Sequence, residues 1–497
     1  SAQRVAAGEN AGFSQEDFHE SWWGQAVKGE DQLRQRVSFA LSQIFVVSFL
    51  DSTVSGSPRG VASFYDTLGQ HAFGNYRELL EAVTLHPMMG IYLSHMRNQK
   101  ENASSGRVPD ENYAREVMQL FSIGLYELNN DGTLKMASGA PIETYTHADV
   151  QGLAKVFTGW SWYAGPNLAD RTNSRFFGGN AHPDRDWSPM QAYNKYANNT
   201  DFHSASEKRF LGRTIGAQGN SPNPESDLET ALDTLFNHPN VGPFICRQLI
   251  QRLVTSNPSA GYVGRCANAF NGGVSGARGD MRSVIKAVLL DGEARNYNTA
   301  DVQSGKLREP VIRLANWMRA FGVNTNDANG RFRGIGETDS TGRLAQAPMR
   351  SGSVFNFYRP GYTPPNTSTA AAGLVAPELQ LAHEVSVADY LNYIRGWIQV
   401  NTNASRYLQQ NYTAELSLVE DPTALVDRVS LLLSASQLSE GTRAQIVSAV
   451  NSRTIPKPTT NSSGAVTNQT AIDNARRDRV YLAIFLAMAS PDYLIQK

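Results

Sequence analysis

Charged side chains cluster at the start of a helical pattern in the segment VPDENYAREVMQLFSIGLYELNNDG, residues 108–132. Asp110 precedes this helix, where its carboxylate can accept a first-turn N–H. Glu111 and Arg115 are four residues apart, which is the spacing of a surface ion pair on a helix. These three residues therefore have an ordinary structural role available to them.

Glu116, with Asn112 one turn before it, is the stronger candidate for chemistry. The periodicity places Glu116 at the edge of the buried face of the same helix. A buried carboxylate needs a partner, which is Arg, Lys, His or a metal ion. We therefore take Glu116, Asn112 and Arg115 as candidate catalytic residues, although a structural ion-pair network would produce the same pattern.

A histidine and a lysine in the segment NNTDFHSASEKRF, residues 198–210, form the second candidate. His203 can transfer protons near neutral pH and is a common metal ligand, and Lys208 follows it closely. The alternative is a loop histidine that binds a backbone carbonyl. The chain contains no HExxH and no histidine pair at i,i+4, which excludes a local zinc motif but leaves open a ligand set drawn from distant segments, so the sequence assigns no metal and no cofactor.

Aromatic residues beside the long loops could bind a substrate. Trp160, Trp162 and Tyr163 in FTGWSWY could form a platform for stacking a sugar, and Arg359 in FNFYRPGYTPP could line a cleft. Aromatic clusters are more often part of the core, and Trp160 in particular fits that alternative.

Apolar residues recur at three-and-four spacing along most of the chain, which predicts helices. We expect these helices to position the candidate residues. Clear examples are DQLRQRVSFALSQIFVVS, ESDLETALDTLFNHPN and DPTALVDRVSLLLSAS. We predict a mainly α protein, a multi-helix globular array with long irregular loops. At most a small β-hairpin is expected, at Tyr126 to Lys135, where Asp-Gly favours a hairpin turn over an incomplete calcium loop.

Three parts follow from this pattern along the chain. Residues 1–322 form a helical core, 323–377 a long irregular region, and 378–497 C-terminal helices that pack on the core. We expect one continuous globular unit. Residues 161–204 form a second long irregular loop, and a loop of this length is usually functional or a linker.

Composition excludes two classes of partner. The chain has 497 residues with 45 basic and 46 acidic side chains. It contains no long basic block of the kind that is typical of proteins that bind nucleic acid. The most apolar stretches, IFVVSFL and YLAIFLAMA, are far shorter than the roughly 20 residues of a membrane span.

The first residue is Ser1 rather than Met, as in a processed, exported chain.

Two cysteines lie in neighbouring helical segments. Cys246 and Cys266 would face each other if these helices form an antiparallel hairpin. A disulfide, which suits an exported protein, and two buried thiols are both open at this point.

Seven segments in a fixed order resemble the bacterial family called domain of unknown function 1800. They are LRQRVSFALSQIFVVS, FGNYRELLEAVTLHPMM, ENYAREVMQLFSIGLYELNNDG, FTGW, FHSASEKRFLG, HPNVGPFICRQLIQRLVTSNPS and FNFYRPGYTPP. The resemblance covers nearly the whole chain. It implies a mostly helical, exported protein, and a partner from an exported family related to phosphatases and sulfatases that is encoded nearby in relatives.

The sequence departs from this family at two motifs. Shorter relatives carry a His-Asn-His run whose histidines fall on Ser42 and Ile44 here. The family's His-Asp motif reads His203-Ser204, whereas Lys208 matches the family's basic residue.

Two hypotheses of function follow. The first is an exported hydrolase that acts on an extracellular polymer or its substituents through a cleft of Glu, Asn, His and Lys side chains. The second is a non-catalytic exported scaffold or binding protein that engages a partner protein or a surface polymer through aromatic loops. Convergence of Glu116, His203 and Lys208 around an open cavity would favour the enzyme.

Overall fold

The computed structural model describes residues 12–193, 202–273, 276–296, 301, 303–399 and 407–497. These residues form a mainly α protein, as the periodicity predicted. The helices are α1 (Gln15–Lys28), α2 (Gln32–Ser42), α3 (Pro58–Gln70), α4 (Tyr76–Leu85), α5 (Pro87–Tyr92), α6 (Asn112–Gln119), α7 (His147–Ala154), α8 (Asn173–Phe176), α9 (Pro224–Asn237), α10 (Val241–Leu253), α11 (Ala260–Phe270), α12 (Met281–Leu290), α13 (Gly292–Arg295), α14 (Pro310–Ala320), α15 (Ser368–Ala371), α16 (Glu384–Ile398), α17 (Thr413–Leu416), α18 (Pro422–Ser434), α19 (Glu440–Ser452), α20 (Gln469–Ala489) and α21 (Pro491–Leu494). Short 3₁₀ turns lie at Val54–Gly56, Leu168–Asp170 and Pro377–Leu381.

Short strands join some of the loops in antiparallel pairs. The pairs are β1 (Met136–Ala137) with β2 (Ala140–Pro141), β3 (Trp160–Ser161) with β4 (Gln191–Ala192), β5 (Lys208–Phe210) with β6 (Arg213–Ile215), β7 (Lys306–Leu307) with β10 (Ile495–Gln496), and β8 (Asn324–Thr325) with β9 (Leu408–Gln409). The predicted hairpin also forms, since Leu128 pairs with Leu134. Asp131 caps its turn by accepting hydrogen bonds from Thr133. Strand pairs are thus more numerous than predicted, but each is only two or three residues long.

Local sequence explains where several helices begin and end. Ser14 and Asp17 form a reciprocal capping box at the start of α1, and Thr146 and Asp149 do the same for α7. Helix α4 stops before Pro87, because the residue that precedes a proline disfavours the helical conformation.

One apolar core extends from Phe18 to Tyr493 and includes residues from each of the three predicted parts of the chain. Helix α10 lies inside it and packs against α2, α9, α11 and α12. The C-terminal helices α18, α19 and α20 pack on one another, and α14 joins α18 to α1. Within the described residues, no helix combines the length and the apolar character that a membrane span requires.

A disulfide joins Cys246 in α10 to Cys266 in α11. Both residues are fully buried. The structure therefore decides between the two alternatives that the sequence left open.

Candidate functional site

The start of α6 has the structural contacts that its spacing predicted. The Asp110 carboxylate accepts the backbone N–H of Asn112 at 2.9 Å, and Glu111 pairs with Arg115 at 3.2 Å. Asn112 itself is exposed, and its side-chain amide donates to the hydroxyl of Ser94 at 3.3 Å. These residues cap and brace the helix end.

Glu116 differs from its neighbours because it is buried without a hydrogen-bonding cation among the described residues. Its side chain is 7% exposed, and its Oε2 atom has no hydrogen-bond partner among the residues that the structure describes. Burial raises the pKa of Glu116, and the charge of Arg115 opposes that rise only in part. The structural ion pair that the sequence left open for Glu116 is therefore not seen among the residues that the structure describes.

His203 and Lys208 come together, but around a carboxylate that the sequence did not single out. Asp227, in the first turn of α9, lies 3.0 Å from His203 Nε2 and 2.8 Å from Lys208 Nζ. All three side chains are at most 2% exposed. Glu116 is in hydrogen-bond contact with neither His203 nor Lys208 within the described part of the chain.

Hydrogen bonds close this buried network on every side. His203 Nδ1 lies 2.7 Å from the carbonyl of Thr158, so each ring nitrogen faces an oxygen atom, Thr158 O on one side and Asp227 Oδ2 on the other. Lys208 donates to the carbonyl of Ser204 at 2.7 Å. Burial by itself raises the pKa of Asp227, but the hydrogen bonds from His203 and Lys208 outweigh it and hold that pKa below its ordinary value.

Asp227 could not be recognised from sequence, because an acid in the first turn of a helix is ordinary. The network that it organises is buried, since His203, Lys208 and Asp227 are each at most 2% exposed. The backbone-carbonyl alternative for His203 is thus part of the structure, and His203 and Lys208 as catalytic residues stay a prediction that this geometry does not favour.

Trp160, Trp162 and Tyr163 of FTGWSWY do not form an exposed platform. Trp160 and Trp162 are at most 9% exposed. Arg185 covers the ring of Trp162 at 4.7 Å, and Tyr163 packs edge-on against His182 at 4.9 Å. The core alternative holds for Trp160, and a sugar-stacking role for this group stays a prediction without an exposed surface.

Arg359 lies at an open cleft of about 460 Å³, which we call the α2–α10 cleft. Its walls come from the end of α2, the end of α6 with the hairpin that follows, one face of α10, and the irregular region around Arg359. The lining residues are Gln43, Ile44, Gln119, Leu120, Gly124, Leu125, Tyr126, Leu128, Leu134, Phe244, Arg247, Gln248, Gln251, Arg252, Val354, Phe355, Arg359, Pro360, Gly361 and Val375.

Helix α10 supplies one continuous stripe of the lining. Its members, Phe244, Arg247, Gln248, Gln251 and Arg252, follow the three-and-four spacing of a single helix face. Because the other faces of α10 are packed in the core, this stripe is the face that remains for the cleft. Arg247 is exposed at the mouth, whereas Gln248, Gln251 and Arg252 are buried at the floor.

The floor holds polar atoms that lack partners. Arg252 donates through its two terminal nitrogens to the carbonyls of Gln248 and Gln43, at 3.2 and 3.0 Å. Its Nε has no partner among the described residues, and the same is true of Gln248 Nε2 and Gln251 Oε1. Buried polar groups are nearly always hydrogen-bonded in folded proteins, so three such atoms under one cleft indicate a place for a ligand.

A buried charge network supports this floor from behind. Gln43 Nε2 donates to Glu309 at 2.5 Å. Lys306 donates to the carbonyl of Arg252 at 2.7 Å and pairs with Glu378 at 2.9 Å. Burial lowers the pKa of Arg252, whereas nearby Glu309 and Glu378 help to keep this guanidinium charged.

Glycine at position 124 keeps the cleft open beside α10. Gly124 has a positive φ of 72°, and a Cβ there would meet the ring of Phe244 at 2.8 Å. Any other residue would therefore push Phe244 out of its place in the wall.

The chain belongs to the family described as Protein of unknown function (DUF1800), whose model matches residues 5–495. The resemblance seen in the sequence is thereby confirmed. No match was found among the curated proteins or among the solved structures. Four of the seven segments that carry the resemblance contribute residues to the α2–α10 cleft, namely those that contain Gln43, Leu120, Gln248 and Arg359.

Sequence reasoning identified one residue of this cleft, Arg359, and missed its floor. A signal was present, since Gln248, Gln251 and Arg252 are, with Arg247, the polar residues of an otherwise apolar helix. The sequence also left open a metal site built from distant segments. Among the described residues, no group of three His, Cys, Asp or Glu side chains that could hold a metal ion was found.

Proposed function

We propose that this protein is a binding protein, and that the α2–α10 cleft takes an amphipathic ligand with an anionic group. The observation that carries the proposal is the charge of the lining. Three arginines, Arg247, Arg252 and Arg359, line the cleft, and its described lining contains no Asp or Glu. An anion on the floor would meet a buried guanidinium with an unpaired donor, in surroundings that strengthen the attraction.

The walls indicate an apolar body for the same ligand. Most of the remaining lining residues are aliphatic or aromatic, including Leu120, Phe244, Val354 and Phe355. The cleft volume lies within the range of roughly 300–1,000 Å³ that is typical of small-molecule sites. Apolar walls above a few polar groups suit a ligand whose charged end points to the floor.

The lining also favours binding over hydrolysis. It contains no Asp, Glu, His, Lys, Ser, Thr or Cys among the described residues, which leaves Tyr126 as the one side chain of a type that usually serves as nucleophile or general base. Ile44, which lines the wall, occupies one of the two positions where shorter relatives carry histidine. The hydrolase hypothesis stays a prediction, and Glu116 and His203 lie outside this cleft.

Export remains part of the proposal and has one structural support. The buried disulfide between Cys246 and Cys266 is typical of proteins that fold in an oxidising compartment. A partner from the exported phosphatase- and sulfatase-related family is a further proposal, based on the family resemblance.

Two fluorescent probes of matched shape test the charge requirement. Anilinonaphthalene sulfonate is an amphipathic anion, and N-phenylnaphthylamine is its uncharged counterpart. We expect the anion to bind the native protein at one site, at least about 10-fold more tightly than the neutral probe, with an affinity that falls as salt rises. Equal affinities for the two probes would overturn the proposal.

Charge reversal at the mouth locates the site. Arg247→Glu and Arg359→Glu alter exposed side chains, so the fold should be unaffected, and each should weaken binding of the anion about 3- to 10-fold. The matched control is Arg59→Glu, which changes an exposed arginine of α3 away from the cleft. If all three variants weaken the anion equally, binding reflects net charge and the cleft is not the site.

A further inference from the structure

We infer that the occupant of the α2–α10 cleft is the free C-terminus of a peptide chain that ends in a large apolar residue. This inference rests on the proposed function and names its ligand class. It starts from the three unpaired atoms of the floor, which are two donors and one acceptor. A ligand that satisfies all three must carry an acceptor and a donor close together.

The two donors match a carboxylate. Arg252 bonds a backbone carbonyl through each terminal nitrogen, whereas its Nε–H has no partner among the described residues and is free for a ligand. Gln248 lies one turn earlier on the same face of α10, and its Nε2 is the second free donor. Both donor atoms are buried, so a bound carboxylate requires a movement of side chains that opens the floor to the cleft.

The free acceptor of the floor, on Gln251, requires a hydrogen-bond donor in the ligand next to its carboxylate. Gln251 donates through Nε2 to the carbonyls of Ser256 and Pro360, at 3.0 and 3.2 Å. These two bonds fix the orientation of the amide, because a carbonyl oxygen in the place of Nε2 would face two other carbonyls. Oε1 is therefore the free end, and it needs an N–H or O–H from the ligand.

A peptide C-terminus supplies this combination. Its carboxylate can accept from Arg252 and Gln248, and the N–H of its last residue can donate to Gln251. A fatty acid or an alkyl sulfate has no donor and would leave Gln251 Oε1 unpaired. An acidic sugar has donors, but its remaining hydroxyls would face aliphatic walls such as Leu120, Leu128 and Val354.

The mouth of the cleft suits a ligand that continues outwards. Leu125, Tyr126 and Leu134 line it and are between 42% and 49% exposed. A run of exposed apolar side chains beside a pocket is typical of a surface that binds another chain. Capture of a terminal carboxylate is one of the recurring modes of peptide recognition.

Displacement of anilinonaphthalene sulfonate by short acetylated peptides tests the inference. The peptides are Gly-Gly-Gly-Leu as the free acid, the same peptide as its C-terminal amide, and the free acid with its last N–H methylated. We expect the free acid to displace the probe, and the other two to be at least about 10-fold weaker, since each loses one buried hydrogen bond. Gly-Gly-Gly-Ser should also be weaker, because it lacks the apolar side chain.

Decanoate and an oligogalacturonate represent the other ligand classes. If either displaces the probe as well as the peptide acid does, or if the amide matches the acid, the inference is overturned while the proposed function stands. If the probe itself does not bind, both fail.

Substitution of Gln248 tests whether the floor of the cleft binds the peptide carboxylate. Gln248→Leu keeps the side-chain volume and should weaken the peptide acid about 10-fold without changing the affinity of the peptide amide. The control is Gln469→Leu, an exposed glutamine of α20, which should change neither affinity. Normal peptide-acid binding by Gln248→Leu would overturn the assignment of the carboxylate to this floor.

Discussion

Asp227→Asn should destabilise the protein strongly, because Asp227 is the carboxylate that pairs with the buried ammonium of Lys208 and bonds the buried ring of His203. His203 and Lys208 lie within 3.0 Å of it, and neither is exposed to water. Removal of one partner from a buried ion pair costs about 3–5 kcal/mol, since the remaining charge stays in a poorly solvating interior. Asparagine keeps the shape of the side chain, so this cost reflects charge rather than a cavity.

The expected change in melting temperature follows from the size of the chain. An unfolding entropy of about 2.1 cal/mol/K per residue, applied to 497 residues, gives about 1 kcal/mol/K. The melting temperature of Asp227→Asn should therefore fall by about 3–5 °C at pH 7, as measured by calorimetry. Asp233→Asn is the control, because Asp233 lies on the same helix with a half-exposed side chain and pairs with Arg77 at the surface; it should cost less than about 1 kcal/mol.

Acid should abolish the difference in melting temperature between Asp227→Asn and the wild type. The hydrogen bonds from His203 and Lys208 hold the pKa of Asp227 below its ordinary value, so the stability that it contributes is present above about pH 4 and is lost as the pH falls below it. An Asp227→Asn protein that melts with the wild type at pH 7 would refute the structural role. Retained stability together with lost probe binding would instead place the functional site at this network.

Three further predictions concern other parts of the chain. Because burial raises the pKa of Glu116, its carboxylate opposes folding once it is ionised. Glu116→Gln should therefore stabilise the protein by about 1 kcal/mol at pH 7 in denaturant unfolding. This gain should vanish below about pH 4, and a destabilised variant would indicate a cation partner. Reduction should add about 2 Da to the intact mass, and Cys246→Ser with Cys266→Ser should cost about 3 kcal/mol for a sequence separation of 20; an unchanged mass would mean free thiols. Asp110→Ala should cost about 1 kcal/mol without affecting probe affinity, since it removes one bond to a helix start, and a probe-binding defect would contradict this.

The sequence determined the elements of this protein because the interactions that form them are local. Apolar spacing predicted the helices, Asp-Gly predicted the hairpin that Leu128 and Leu134 pair to form, and i,i+4 spacing predicted the pair of Glu111 with Arg115. Each of these depends on residues that are near one another in the chain, so their physical causes can be read from a short window.

The family was also determined by the sequence, since ordered segments along nearly the whole chain carry that resemblance. The sequence did not determine whether Cys246 and Cys266 form a disulfide. Two cysteines on neighbouring helices can meet or face away, and the rotation of α10 against α11 depends on how both helices pack in the core.

Tertiary structure alone decided which polar residues are buried and what they face. Glu116 and His203 had suitable side chains for a common site, but the structure separates them. Glu116 of α6 is buried without a hydrogen-bonding cation among the described residues, whereas the segment before β5 places His203 against Asp227 of α9. The α2–α10 cleft joins Gln43, Gln248 and Arg359, which are far apart in the chain. No local pattern reports that these residues meet, because their contact arises from packing of the whole core and not from the propensity of any one segment.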